Sequence, residues 1–133
     1  MKNSFTSISA GFLAMFTVFT AGFANTALAA ENSGSWSKAA FSTSGTWSIE
    51  GRTLTLTDFS TKSAPDLKII LSPHSVDDLQ SRNAMTGAVI ISPLKSNKGT
   101  QTYEIPENVD LADFESIGIH CQKYTKLFAK SSL

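Results

Sequence analysis

Few residues of this chain have side chains that could carry out chemistry. Among its 133 residues there is one cysteine, Cys121, and there are two histidines, His74 and His120. A thiolate can act as a nucleophile, a redox group or a ligand, so Cys121 is the main candidate. In an exported protein a single cysteine indicates a free thiol, an intermolecular disulfide or a ligand. Free cysteine also packs in cores as a small hydrophobic residue, and both interpretations remain open here.

The stretch around Cys121, residues 115–124, alternates with a period of two. Ile117, Ile119 and Cys121 fall on one side of it, and His120 falls on the other. Successive side chains of a strand leave opposite faces, so this pattern predicts a half-buried β-strand. Cys121 is expected on the apolar face, where burial would keep its thiol unreactive. Lys123 has the same parity and would stabilise a thiolate if the end of the strand were open to solvent.

Metal and hydrolytic sites are disfavoured by the spacing of these residues. Neighbours on a strand point to opposite faces, so His120 and Cys121 cannot share one ion. The sequence contains no four-ligand zinc pattern, no Cys-x-x-Cys-His haem motif and no Gly-x-Ser-x-Gly motif. Non-covalent haem remains possible, because it needs one axial residue and an apolar slot. His74 follows a proline in a turn and is interpreted as a surface histidine.

A cluster of acidic residues precedes the Cys121 strand. It lacks the spacing of a calcium-binding loop, so we interpret it as a solvated loop and helix start. Its members are Glu107, Asp110, Asp113 and Glu115.

Residues 1–29 have the layout of a secretory signal peptide. Lys2 is followed by a mostly apolar run from Ile8 to Phe23 and by the cleavage pattern Ala27-Leu28-Ala29. The run is short for a membrane span and contains serine and threonine, which favours a cleaved signal over an anchor. We therefore predict export to the periplasm or the medium, with no stable membrane insertion after cleavage.

The remaining chain is expected to be one domain. Residues 30–40 are rich in serine and glycine and are predicted to be a flexible lead-in, with Trp36 folding back on the domain at residues 41–133. The 11 Lys and Arg balance the 11 Asp and Glu. No basic surface suited to nucleic acid is therefore expected.

The elements that would position Cys121 are short strands. Residues 45–50 and 53–57 alternate on either side of Glu50-Gly51, which predicts a β-hairpin. Short helical turns are expected within residues 75–82 and at residues 110–113. The fold class is therefore all-β, an antiparallel β-sandwich of about seven or eight short strands. The further strands are expected at residues 67–71, 87–94, 101–105, 115–124 and 125–133.

One ordered set of segments extends over the predicted domain. It comprises Gly45–Ile49, Leu54–Phe59, Ala64-Pro65-Asp66-Leu67 through Leu71, Gly99-x-Gln101-x-Tyr103-x-Ile105-Pro106, Phe114, and Ile117-x-Ile119-x-Cys121 through Phe128. Together these segments resemble the DM-thirteen (electron transfer) domain family.

The resemblance implies a small β-sandwich with a hallmark cysteine near its C-terminus. In that family the cysteine is proposed to act in redox chemistry, as a bare thiol or as the ligand of a prosthetic group such as haem. Cys121 occupies the hallmark position. The preceding residue is commonly aromatic in the family, whereas here it is His120, which we interpret as a surface substitution.

The leading hypothesis is an exported redox or electron-transfer accessory domain that uses Cys121 as thiol or haem ligand. We expect it to act with a redox or surface protein partner and not as a stand-alone enzyme. No cofactor is assigned with certainty. The alternative is a non-catalytic binding or structural β-sandwich in which Cys121 only packs in the core.

Overall fold

Nine β-strands form two antiparallel sheets in residues 32–133, the part of the chain that the computed structural model describes. This confirms the predicted all-β sandwich. The predicted signal peptide at residues 1–29 lies outside the described residues. No helix among residues 32–133 is long and apolar enough to cross a membrane.

The strands are short, and two single 3-10 turns interrupt the loops between them. The turns are Ser81–Asn83 and Leu111–Asp113, and Asp110 caps the second by accepting a hydrogen bond from the Ala112 amide at 3.0 Å. In chain order the strands are β1 (Asn32–Ser35), β2 (Ser37–Lys38), β3 (Ser44–Glu50), β4 (Thr53–Ser60), β5 (Leu67–Ser72), β6 (Val89–Pro93), β7 (Lys98–Glu104), β8 (Ser116–Cys121) and β9 (Lys126–Ser132).

One sheet has five strands and the other has four. The five-stranded sheet has the order β2-β9-β8-β5-β6, and the four-stranded sheet has the order β1-β3-β4-β7. The predicted hairpin is confirmed as β3 and β4, in which Ile49 pairs with Leu54 and Trp47 with Leu56. These apolar side chains are buried, so the alternation in the sequence does place one face of the hairpin in the core.

The main core contains apolar side chains from both sheets. Trp47 and Phe59 come from the four-stranded sheet, while Ile69, Ile119 and Phe128 come from the five-stranded sheet. The sandwich is therefore held together by burial of apolar surface, as expected for two sheets that each have one apolar face.

A second apolar cluster covers the opposite face of the five-stranded sheet. Ile70 and Leu127 meet Leu79 and Ala84, which belong to the β5–β6 connection. Strand β8 is consequently buried along its whole length. The prediction that the Cys121 strand is half-buried was wrong, because the connection packs over the face that was expected to meet solvent.

The N-terminal stretch also differs from its predicted form as a flexible lead-in. Residues 32–35 pair with β3, and Ser37–Lys38 pair with β9, so each sheet gains one edge strand. Trp36 lies between the two strands, is buried, and meets the ring of Phe59 edge-on at 5.9 Å. The burial of this tryptophan explains why so polar a stretch is ordered.

Candidate functional site

Cys121 is the last residue of the central strand β8. Its backbone pairs with Leu67 on one side and with Lys126 on the other. The residue is 0% exposed and belongs to the main core cluster, and its thiol is free. The prediction that Cys121 points to the apolar side is confirmed.

The surroundings of Cys121 decide which of the predicted chemistries fit. Among residues 32–133 no group of three or more Asp, Glu, His and Cys side chains could hold a metal ion. Lys123 lies in the β8–β9 turn and is exposed, with its ammonium nitrogen 5.9 Å from the centroid of the Tyr124 ring. The strand end is closed over Cys121, so the condition under which Lys123 would stabilise a thiolate is not met in this conformation.

His120 is buried, not a surface substitution as the sequence suggested. It lies on the outer face of β8, between Lys68 of β5 and Leu127 of β9, and only 1% of it is exposed. Neither ring nitrogen has a hydrogen-bond partner among the described residues. Burial lowers the pKa of His120 below its ordinary value, and the carboxylate of Asp66 opposes that shift.

Lys68 is the register partner of His120, and Asp66 is the carboxylate whose charge acts on the imidazole; these two groups are paired with each other. The Lys68 ammonium donates to Asp66 at 2.8 Å, and this is the one ion pair that residues 32–133 form. Neither group reaches the imidazole with a hydrogen bond. His120 is therefore a buried imidazole whose two ring nitrogens both lack a hydrogen-bond partner among the described residues.

His74 does not converge with the other two residues. It is partly buried, and its carbonyl accepts a hydrogen bond from Ser116 at 2.7 Å. Ser116 begins β8 and Cys121 ends it, so at the rise of a strand the two ends are about 17 Å apart. The thiol and the imidazole of His74 therefore do not form one site.

An apolar groove lies at the Cys121 end of the sandwich. It has a volume of about 420 Å³, and Lys126, the ladder partner of Cys121, lines it. Cys121 is not among its lining residues. We call it the lysine–aromatic groove, and its walls include Phe41, Lys62, Pro65, Tyr124, Lys126 and Phe128.

A haem held by Cys121 would need an apolar slot that opens at the sulfur atom. The thiol is closed off by the packed core, and the neighbouring groove does not reach it. The residues around Cys121 therefore do not fit a haem in this conformation.

One feature of the sequence does indicate that His120 is buried, although the alternation around Cys121 does not show it. Ile70 and Leu127 both stand at outward-facing positions of the five-stranded sheet, where solvent-exposed strands carry polar residues. Apolar residues there indicate a second covering layer. The Leu79 and Ala84 side chains that supply it lie far away in the sequence.

Comparison with models of protein families gives a match over most of the chain. A family model described as "Electron transfer DM13" matches residues 36–133. The match begins at Trp36, and it includes Cys121. No curated protein and no solved structure matches the chain.

Proposed function

The chain belongs to the electron transfer DM13 family, and on that premise we propose that it is a small exported redox accessory domain in which Cys121 is the redox group. An electron transfer family supports the redox role. The signal-like pattern of residues 1–29 supports export. The partner would be a redox or surface protein, because a lone thiol needs a second molecule with which to exchange electrons.

The chemistry open to Cys121 follows from its being the only cysteine. No second thiol is available for an intramolecular disulfide. Oxidation of Cys121 therefore needs a second molecule. A peroxide would transfer one oxygen atom to the thiolate, giving a sulfenic acid, and would itself be reduced to water or an alcohol. A disulfide of a partner would be attacked by the thiolate, giving a mixed disulfide, and the second sulfur of that disulfide would leave as a thiolate. Either reaction requires the sulfur to meet solvent or a partner at some stage of the cycle.

The observation that carries the proposal is the position of Cys121 at the very end of its strand. The next residue, Gln122, is exposed and donates its amide hydrogen to the Asp66 carbonyl at 3.0 Å. Lys126, on the neighbouring strand, is also exposed. A local opening of this strand end, which breaks the pairing of Cys121 with Leu67 and Lys126, would expose the thiol without unfolding the sandwich.

A second candidate function is favoured by the complete burial of Cys121. In a structural or binding module the thiol would be a small core side chain, one of the most frequently buried types. The two functions differ in how the thiol becomes accessible: by local opening in the first, and only by global unfolding in the second.

Maleimide labelling of the folded protein tests this difference. We expect Cys121 to label at least about tenfold faster in buffer than global unfolding permits, with a weak dependence on urea concentration, as local openings show. The Cys121→Ser variant gives the background.

The matched control moves the thiol deeper into the same strand. In the Cys121→Ser background, Ile119→Cys introduces a thiol that is also 0% exposed but lies inside β8, paired with Ile69 and Ala129. This thiol should label only at the rate of global unfolding. If Cys121 also labels at that rate and with the full urea dependence, the redox role is rejected in favour of the packing role.

A further inference from the structure

We propose that the lysine–aromatic groove binds a small aromatic carboxylate, with the ring on the aromatic wall and the carboxylate beside the two lysines. The inference does not depend on the redox role of Cys121, since none of its contacts involves the thiol.

The walls of the groove suit a flat apolar body. Phe41 and Phe128 meet edge to face, with ring centroids 4.5 Å apart. Tyr124, in the β8–β9 turn, is 59% exposed and is the one large hydrophobic side chain of residues 32–133 that stands out into solvent. Aromatic side chains arranged in this way prefer edge-to-face or offset contacts with another ring. Tyr124 and the partly buried Phe41 thus leave aromatic surface that a bound ring would bury, whereas Phe128 is 3% exposed and adds little.

The charge of the groove is positive. Lys62 and Lys126 line it, both are exposed, and no acidic residue does. The single ion pair formed within residues 32–133 joins Lys68 to Asp66, so neither groove lysine has a carboxylate partner there. The Lys62 ammonium nitrogen lies 5.4 Å from the Phe41 ring centroid, which holds a positive charge directly beside the aromatic wall.

The size of the groove matches a small molecule better than a peptide helix or strand. Its volume of about 420 Å³ falls near the lower end of the range for small-molecule pockets. A ligand that packs against the aromatic wall and also pairs with the two ammonium groups needs an apolar ring and an anionic group in one small molecule. An aromatic carboxylate has both.

Two probes of nearly the same shape, one anionic and one neutral, test the proposal on the folded protein. They are 2-naphthoate and its neutral analogue 2-naphthamide, titrated while backbone amide chemical shifts are recorded. We expect saturable shifts at Phe41, Tyr124 and Lys126 with naphthoate. Its affinity should fall as salt is raised, because salt screens exposed charges, and naphthamide should bind more weakly.

Matched lysine variants localise the effect. Lys62→Gln and Lys126→Gln should each weaken naphthoate binding about two- to fivefold, the size typical of an exposed charge pair, and leave naphthamide binding unchanged. Lys98→Gln removes the same charge from an exposed position on β7 that does not line the groove, and should have no effect.

Three results would each overturn the proposal. They are the absence of saturable shifts at the groove, equal affinity for the two probes, and equal weakening by Lys98→Gln and by the groove variants. The maleimide labelling of Cys121 tests the redox role separately. A negative result for ligand binding in the groove therefore does not reject the redox role, and a negative labelling result does not reject ligand binding.

Discussion

At the scale of single residues, the burial of His120 lowers the stability of the folded protein. A buried imidazole with neither nitrogen hydrogen-bonded has lost its contacts with water without replacing them. The residue stands directly before Cys121, at a position where the family commonly has an aromatic side chain. An aromatic ring there would fill a similar space with no polar atoms to satisfy.

The lowered pKa of His120 predicts a stability that depends on pH. The unfolded chain takes up the proton near the ordinary histidine value of 6.5, whereas the folded chain takes it up only at a lower pH. The unfolded state therefore binds more protons between these two values. The contribution of His120 to stability is fully present above pH 6.5 and is lost as the pH falls through the pKa of the folded state.

The His120→Phe variant tests this prediction. We expect the free energy of unfolding of the wild type to fall between pH 7.5 and pH 5, and that of the variant to fall less. Urea titrations followed by tryptophan fluorescence at the two pH values measure the difference. The His74→Gln variant leaves His120 in place and measures what the other histidine contributes to the slope. Equal slopes for His120→Phe and the wild type would contradict the assignment.

At the scale of elements, the bend that shapes the β3–β4 hairpin depends on Gly45. The ladder between the strands shifts register between Ser44 and Thr46, and Gly45 has a φ of +97°. A Cβ atom at Gly45 would lie 2.5 Å from the Thr57 carbonyl oxygen. Only glycine combines this backbone conformation with so close an approach.

The Gly45→Ala variant is therefore expected to destabilise the protein by about 2–3 kcal/mol, from backbone strain together with the clash against the neighbouring strand. Gly99→Ala is a matched comparison, because Gly99 has a φ of +101° but nothing within 4 Å of the added atom. It should cost only the backbone term, about 1 kcal/mol. Urea midpoints measure both, and equal losses would show that the clash is relieved by a small movement.

The β5–β6 connection is the element that gives β8 its second buried face. Ser81 accepts a hydrogen bond from the Leu127 amide at 2.9 Å, and Lys130 donates to the Leu79 carbonyl at 2.9 Å. These bonds attach the connection to β9, beside the strand that carries His120 and Cys121. The helical turn expected within residues 75–82 lies further along the chain, as the 3-10 turn at Ser81–Asn83, and residues 75–80 are not helical.

At the scale of the whole molecule, residues 32–38 join the two sheets. Their first part pairs in the four-stranded sheet and their second part in the five-stranded sheet, with Trp36 between them. The indole nitrogen of Trp36 has no hydrogen-bond partner within residues 32–133, so the contribution of Trp36 comes from packing against the core and Phe59.

The Trp36→Ala variant is expected to lower the free energy of unfolding by about 3 kcal/mol, the cost of removing a large aromatic side chain from a core. Trp36→Phe keeps most of the packed surface and should cost much less. Chemical unfolding followed by far-ultraviolet circular dichroism measures both. A loss below about 0.5 kcal/mol for Trp36→Ala, the size of an ordinary surface substitution, would mean that the segment is peripheral to the sandwich.

The sequence by itself determined the local structure of this protein. Alternation of apolar and polar residues predicted the β3–β4 hairpin, the all-β class and the core-facing side of Cys121. Alternation is a property of neighbouring residues, and side chains leave a strand on alternate faces whatever surrounds it. The set of segments from Gly45 to Phe128 also identified the family, because these segments follow one another along the whole domain in the order that is typical of the family.

Only the tertiary structure decided what covers each face. His120 is buried because Leu79 and Ala84, some 40 positions earlier, pack with Leu127 over the outer face of β8. Residues 32–38 are ordered because Trp36 finds a place against Phe59 in the core. Burial is set by contacts between distant parts of the chain, and no local pattern contains them. The reactivity of Cys121 depends on that burial, so it too is a property of the folded molecule.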